Sequence, residues 1–212
     1  MPAKKIIGTP YFDHKRYFIV GTEGSGHHLF LNATAMSCDP LTQEWTEDSY
    51  QTRDFDRQSN IDKRLKDGLV LTSIPYGEDS KRPNLMNYIH WTQSNKQDKM
   101  IYIYRDPVLC AESASERFGR HITQTARTTL DALVYISAVL RHQKDTYAEM
   151  PLVFEYSDIC ENRESFERWT GIKIEKETLK KSTRKSTNNR LKDYFFQSYE
   201  LYSFIEKCVI KL

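Results

Sequence analysis

Four short runs rich in β-branched and aromatic residues punctuate the chain: Arg16 to Val20, Leu69 to Ile74, Met100 to Tyr104 and Leu152 to Tyr156. Their apolar positions are nearly continuous rather than alternating with polar ones, as expected of strands covered on both faces. Between and after them, apolar residues recur at helical spacing. The pattern predicts helices over Gly26–Met36, Asp54–Lys66, Asn84–Ser94, Pro107–Phe118, Gln124–Glu149 and Ser165–Gly171, with a terminal aromatic-rich helix over Arg190–Lys207. Strands alternating with helices imply an α/β fold of P-loop type, three layers deep, with a central parallel sheet of about four to five strands flanked by helices. Two polar stretches interrupt the pattern. Cys38 to Ser59 sets Trp45 and Tyr50 among acids and hydroxyls and is the best candidate for a substrate-facing excursion, and Lys173 to Arg190 is rich in lysine, serine and threonine.

Composition changes this picture only at its edges. With 212 residues, 39% apolar and 12% aromatic, the chain has material for one sizeable core, so residues 1–212 are expected to form a single domain. Thirty-one basic residues against 29 acidic ones leave a formal net charge of +2, which gives no bulk electrostatic case for a nucleic-acid or membrane partner. Any anion site must therefore be local. No apolar run approaches the roughly 20 residues of a membrane span. Cys38, Cys110, Cys160 and Cys208 show no CxxC spacing and Met1 opens no secretory apolar region, which together favour a reduced, cytoplasmic setting.

The most informative stretch follows the first strand. Gly21, Gly24 and Gly26 have the glycine spacing of a phosphate-cradling P-loop, but His27 and His28 stand where lysine and a hydroxyl would follow. Glycines let successive N–H groups turn toward an anion, and the N-terminus of the next helix adds partial positive charge worth ~0.3–1 kcal/mol. Without the lysine and the Mg²⁺-binding hydroxyl, a nucleoside-triphosphate reaction is disfavoured. A tight strand-to-helix turn with no ligand is the plain alternative. Adjacent histidines on a helix point about 100° apart and no His or Cys cluster backs them, so no metal is expected.

A second element follows the third strand. Arg105, Asp106 and Pro107 lead into a helix that carries Ser113 eight residues after the arginine. Carboxyl ends of parallel strands are where ligands bind in such sheets, and an arginine fork with a helix serine suits a phosphate. The competing reading pairs Arg105 with Asp106 or Glu112.

These residues resemble the sulfotransferase family, whose donor is 3'-phosphoadenosine 5'-phosphosulfate. That family's 5'-phosphosulfate loop falls without a gap on Glu23, Gly24, Ser25, Gly26, His27 and His28, and its 3'-phosphate element matches Arg105, Asp106, Pro107 and Ser113. A late loop of the cytosolic members aligns with Arg184 to Phe195, sharing Arg184, Lys185, Lys192 and Phe195 but neither glycine nor the tryptophan. The segment from Pro151 to Ile172 is similar to the family's strand, acidic residue and helix. Three departures stand out. Gly24 replaces the loop's basic residue, Leu29 the adenine-stacking tryptophan, and Ser73, within Thr72 to Pro75, the catalytic histidine of cytosolic members.

The resemblance implies transfer of a sulfuryl group to a hydroxyl or amine of a small-molecule or glycan acceptor, leaving adenosine 3',5'-bisphosphate, with no metal. It implies that Glu23, Gly24, Ser25, Gly26, His27 and His28 hold the 5'-phosphosulfate, and that Arg105, Ser113, Arg184 and Lys185 hold the 3'-phosphate. His27, His28 and Ser73 are the catalytic candidates, an imidazole being able to carry charge near neutral pH. Ser73, Glu78, Asp79, Glu23 and His28 all stay open as the general base. The acceptor pocket is expected from Cys38 to Ser59 and Pro75 to Asn87. Two other readings remain at this point: a P-loop small-molecule kinase, and a nucleotide-binding module of the same fold without turnover. Neither the acceptor nor the oligomeric state is legible.

Overall fold

A computed structural model of the chain describes residues 16–27, 70–74, 85–94, 98–148, 150–170, 172, 174 and 185–212. Strands β1 (Arg16–Gly21), β2 (Val70–Ile74), β3 (Asp98–Tyr104) and β4 (Leu152–Glu155) lie in the order β2-β1-β3-β4, and every pair is parallel. The helices are α1 (Leu85–Ser94), α2 (Pro107–Phe118), α3 (Ile122–Tyr147), α4 (Tyr156–Glu161), α5 (Arg163–Thr170), α6 (Asn189–Gln197) and α7 (Tyr199–Cys208). Among the described residues, no helix is long and apolar enough to cross a membrane.

Successive strand residues point to opposite faces, and here both faces are dry. Val20, Met100, Tyr102, Tyr104 and Val153 pack into one core with residues of α1, α2, α3, α6 and α7. Their neighbours Ile19, Ile101, Ile103 and Phe154 pack into a second core with α4, α5, Ile172 and Ile174, where Phe154 meets Phe166 edge to face at 4.9 Å. This is why the strand runs read as continuous apolar stretches rather than alternating ones.

The strand order places the site. β1 has β2 on one side and β3 on the other, so the connections diverge between β1 and β3, and ligands bind at such a switch point beyond the carboxyl ends. Gly21 pairs with Ile103 in the register, so the glycine loop leaving β1 and the Arg105 segment leaving β3 emerge side by side.

Two expectations need correction. The terminal helix is two helices, α6 and α7, parted at Ser198. Ser198 Oγ donates to the Tyr194 carbonyl at 3.0 Å beside its own N–H, and the Tyr202 hydroxyl donates to the Phe195 carbonyl at 3.1 Å, so side chains add to the backbone bonds at the break. The second is α4, whose Tyr156 the sequence pattern places at the end of the fourth strand and whose remaining residues it gives no helix. It is only six residues long and Glu155 makes no side-chain cap bond, so no start signal marks it. The expected helix over Asp54–Lys66, and that over Gly26–Met36 beyond His27, lie outside the described residues.

Candidate functional site

The glycine loop closes on itself before it meets anything else. The Ser25 N–H donates to the Thr22 carbonyl at 3.0 Å, while Gly24 (φ 79°) and Gly26 (φ 89°) turn through the left-handed region that side chains disfavour. Space as well as conformation demands both glycines. A Cβ on Gly24 would run into the Cys110 carbonyl of α2, and one on Gly26 would lie 2.7 Å from the Tyr156 ring. The basic residue usual at position 24 in the resembling family is thus excluded by the close approach of α2.

Ser25 and His27 are both buried, and Ser25 Oγ lies 2.9 Å from His27 Nδ1. His27 therefore braces the loop through its serine. Cys110 lies beneath the loop, accepting from Thr22 Oγ1 at 3.5 Å and donating to the Arg105 carbonyl at 3.6 Å. Burial pushes its thiol up to about 11, against the pull of Thr22 and Arg105, so it stays protonated and serves as a hydrogen-bonding spacer.

Arg105 pairs with neither Asp106 nor Glu112. Its Nη1 donates to the Gly24 carbonyl at 2.8 Å, and its guanidinium lies 5.9 Å from the centre of the Tyr156 ring. Tyr156 thus packs against both the loop at Gly26 and the arginine, and burial first, then Cys160, raises its hydroxyl above its ordinary range while Arg105 opposes the rise. Asp106 is instead the N-cap of α2: its Oδ1 accepts from the Val108 N–H at 2.8 Å and the Leu109 N–H at 3.2 Å, with Pro107 in the first turn. Glu112 takes a hydrogen bond from Ser186 Oγ at 2.6 Å. That bond brings the late loop onto α2 at the residue next to Ser113.

Two further contacts were invisible in the sequence. Glu23 forms an ion pair with Arg120 at 2.8 Å, tying the loop to the turn after α2, where Arg120 also lies over the Phe118 ring at 4.8 Å. Tyr104, the residue before Arg105, donates to Glu206 Oε1 at 2.6 Å, and Tyr199 donates to Glu206 Oε2 at 2.8 Å. Burial and then Glu206 hold the Tyr104 hydroxyl far above its ordinary range, so it remains a donor that fastens α7 to the end of β3, while burial pushes Tyr202 up to about 12 and keeps it a donor to Phe195 of α6. Paired charges and phenol donors 97 and 102 residues apart leave no local signal.

Of the residues expected at the site, Glu23, Gly24, Ser25, Gly26 and His27 lie in the loop, Arg105 touches it, and Ser113 is two turns into α2. Ser73 lies near the carboxyl end of β2, paired in register with Ile19. Lys185 is exposed and next to the Ser186 anchor. His28, Glu78, Asp79 and Arg184 lie outside the described residues, as do nearly all of the segments expected to hold the acceptor. Among the described residues, no group of three or more His, Cys, Asp or Glu side chains is placed to hold a metal ion.

The fold has a counterpart among solved structures. A sulfotransferase from Alicyclobacillus acidocaldarius is similar with a TM-score of 0.55 and 12% identity, over 95% of this chain and 96% of that one. The fold is a sulfotransferase fold. A retinol dehydratase in complex with androsterone and inactive cofactor PAP is also similar, with a TM-score of 0.36 and 15% identity over 92% of this chain and 67% of that one. No family model and no curated protein matches the sequence. What the chain shares with that sulfotransferase is its backbone path.

Proposed function

We propose that the protein is a divergent sulfotransferase that uses 3'-phosphoadenosine 5'-phosphosulfate and acts on a hydroxyl or amine of a small-molecule or glycan acceptor. One observation carries the reading. Three elements far apart in sequence, the glycine loop, Arg105 and the late loop, converge on α2 through Gly24, Arg105 and the Glu112–Ser186 bond. The donor set fits that ligand: left-handed glycines whose Cβ positions are filled by neighbours turn the backbone as a phosphate-cradling loop requires, and an arginine fork adjoins them.

When bound, the donor supplies an activated sulfuryl group. In this reading the loop from Glu23 to His28 holds its 5' end, and Arg105, Ser113, Arg184 and Lys185 hold its 3'-phosphate. The protein then positions the donor and stabilises negative charge near the loop. With a side chain excluded at position 24, the cation already at the loop is Arg105, and an imidazole, either at His27, which also orients Ser25, or at His28, is the group beside it able to carry charge or supply a proton to the leaving oxygen. The general base is one of Ser73, Glu78, Asp79, Glu23 or His28, and Glu23 is the weakest of these because Arg120 already engages it.

Calorimetry tests the reading. Adenosine 3',5'-bisphosphate should bind more tightly than AMP or ATP, and EDTA should change neither that affinity nor turnover. Tighter binding of ATP together with a strict Mg²⁺ requirement would turn the assignment to a kinase.

Replacing His27 by threonine separates a histidine that works in turnover from one that packs. The expected result is a kcat about 100-fold lower with donor affinity nearly kept, the size for loss of an acid or a charge stabiliser. Normal turnover in this variant would limit His27 to bracing the loop. A chain that binds the bisphosphate but turns over no acceptor would instead be a nucleotide-binding module, a reading favoured by the absence of room for a cation at Gly24.

A further inference from the structure

Glu112 carries a feature that a phosphate site does not by itself call for. It is an acid immediately before Ser113 on α2, in a neighbourhood expected to hold a dianion, and like charge does not favour that ligand. The geometry gives it another task. Ser186 Oγ donates to Glu112 Oε1 at 2.6 Å, within the short, strong class of hydroxyl-to-carboxylate bonds. The same Ser186 Oγ accepts the Asn188 N–H at 3.1 Å, and Asn188 Oδ1 accepts the Leu191 N–H at 3.2 Å as the N-cap of α6. A continuous chain of hydrogen bonds therefore runs from α2 through Glu112, Ser186 and Asn188 into α6, whose Leu191 and Phe195 are buried in the core.

Lys185 stands one residue before this anchor, and its side chain is exposed. A lysine on an untethered loop loses rotamer freedom when it settles on a ligand, and the backbone beneath it loses more. Fixing Ser186 removes part of that loss in advance. We propose that Glu112 is a positioning residue for the 3'-phosphate: it docks the late loop on α2 so that Lys185 and Ser113 address the same phosphate. The inference rests on the sulfotransferase reading of the site. It assigns to Glu112 a role that depends on its acceptor oxygen and not on its charge, so Glu112→Gln and Glu112→Ala must part company.

The test is calorimetry with adenosine 3',5'-bisphosphate and with AMP, which lacks the 3'-phosphate. Glu112→Ala and Ser186→Ala are each expected to weaken bisphosphate binding by ~10-fold while AMP affinity stays within ~2-fold, and the double variant should lose no more than either single one. Glu112→Gln keeps Oε1 as an acceptor for Ser186, so it should bind the bisphosphate within ~3-fold of the parent. Equal losses for AMP and the bisphosphate would mark a merely structural residue and overturn the inference. So would an Ala variant that keeps the parent preference, or a Gln variant as weak as Ala. If the parent protein shows no preference for the bisphosphate over AMP, the sulfotransferase reading itself falls, a result separate from any behaviour of the Glu112 variants. Ser186→Ala, at a half-buried loop residue, keeps the test open should Glu112→Ala not fold.

Discussion

Gly24→Lys, which restores the basic residue usual in the resembling family, is expected to unfold the site rather than complete it. Position 24 has φ 79°, and its Cβ direction ends in the Cys110 carbonyl at the start of α2. A left-handed backbone costs a non-glycine residue ~1–2 kcal/mol, and forcing atoms into packed space typically adds ~1–3 kcal/mol. The sum, about 2–5 kcal/mol, should lower the melting temperature by roughly 5–20 °C in a chain of this size. Gly24→Ala shares the Cβ but not the charge, and it should lose a similar amount. Thermal unfolding of both variants is the measurement. A lysine variant that melts with the parent protein and binds the bisphosphate more tightly would show that α2 can yield, and that a cation is tolerated where the resembling family carries one.

Arg105→Ala is expected to weaken adenosine 3',5'-bisphosphate binding by ~1.5–3 kcal/mol, the range for hydrogen bonds to a charged group, which is ~10- to 150-fold in Kd. The structure adds a qualification. Arg105 Nη1 already holds the Gly24 carbonyl, so the alanine variant loses a loop tether together with a phosphate donor, and AMP affinity should fall too, though less. Arg105→Lys distinguishes the two losses, because a single ammonium can reach one acceptor but cannot present a planar fork to two. It should recover most of the AMP affinity and only part of the bisphosphate affinity. Unchanged bisphosphate binding in Arg105→Ala would remove the arginine from the 3'-phosphate site and with it the main support for the donor assignment.

Much of the candidate site was legible from short-range pattern. β1, β3 and α2 lie within a residue or two of their expected bounds because each is marked locally: a buried apolar run, or Asp106, Pro107 and the trailing Gly119 as helix punctuation. The glycine spacing pointed correctly to a loop with left-handed turns, since only glycine adopts that conformation readily. Where local marks were weak, at α4 and at the Ser198 break, the reading failed.

What the chain determined by itself was therefore the order of its elements, the α/β class and the place of a glycine loop after the first strand. These follow from backbone preference and the period of apolar residues, which act over a few positions. The partners of the site's side chains were decided by the tertiary fold. Arg105 reaches across 81 residues to Gly24, Arg120 across 97 to Glu23 and Ser186 across 74 to Glu112, and an arginine beside an aspartate gives no hint that its partner is a distant carbonyl. Only the β2-β1-β3-β4 order, by setting the ends of β1 and β3 next to each other and laying α2 against the loop, turned a missing lysine into a position where no side chain fits.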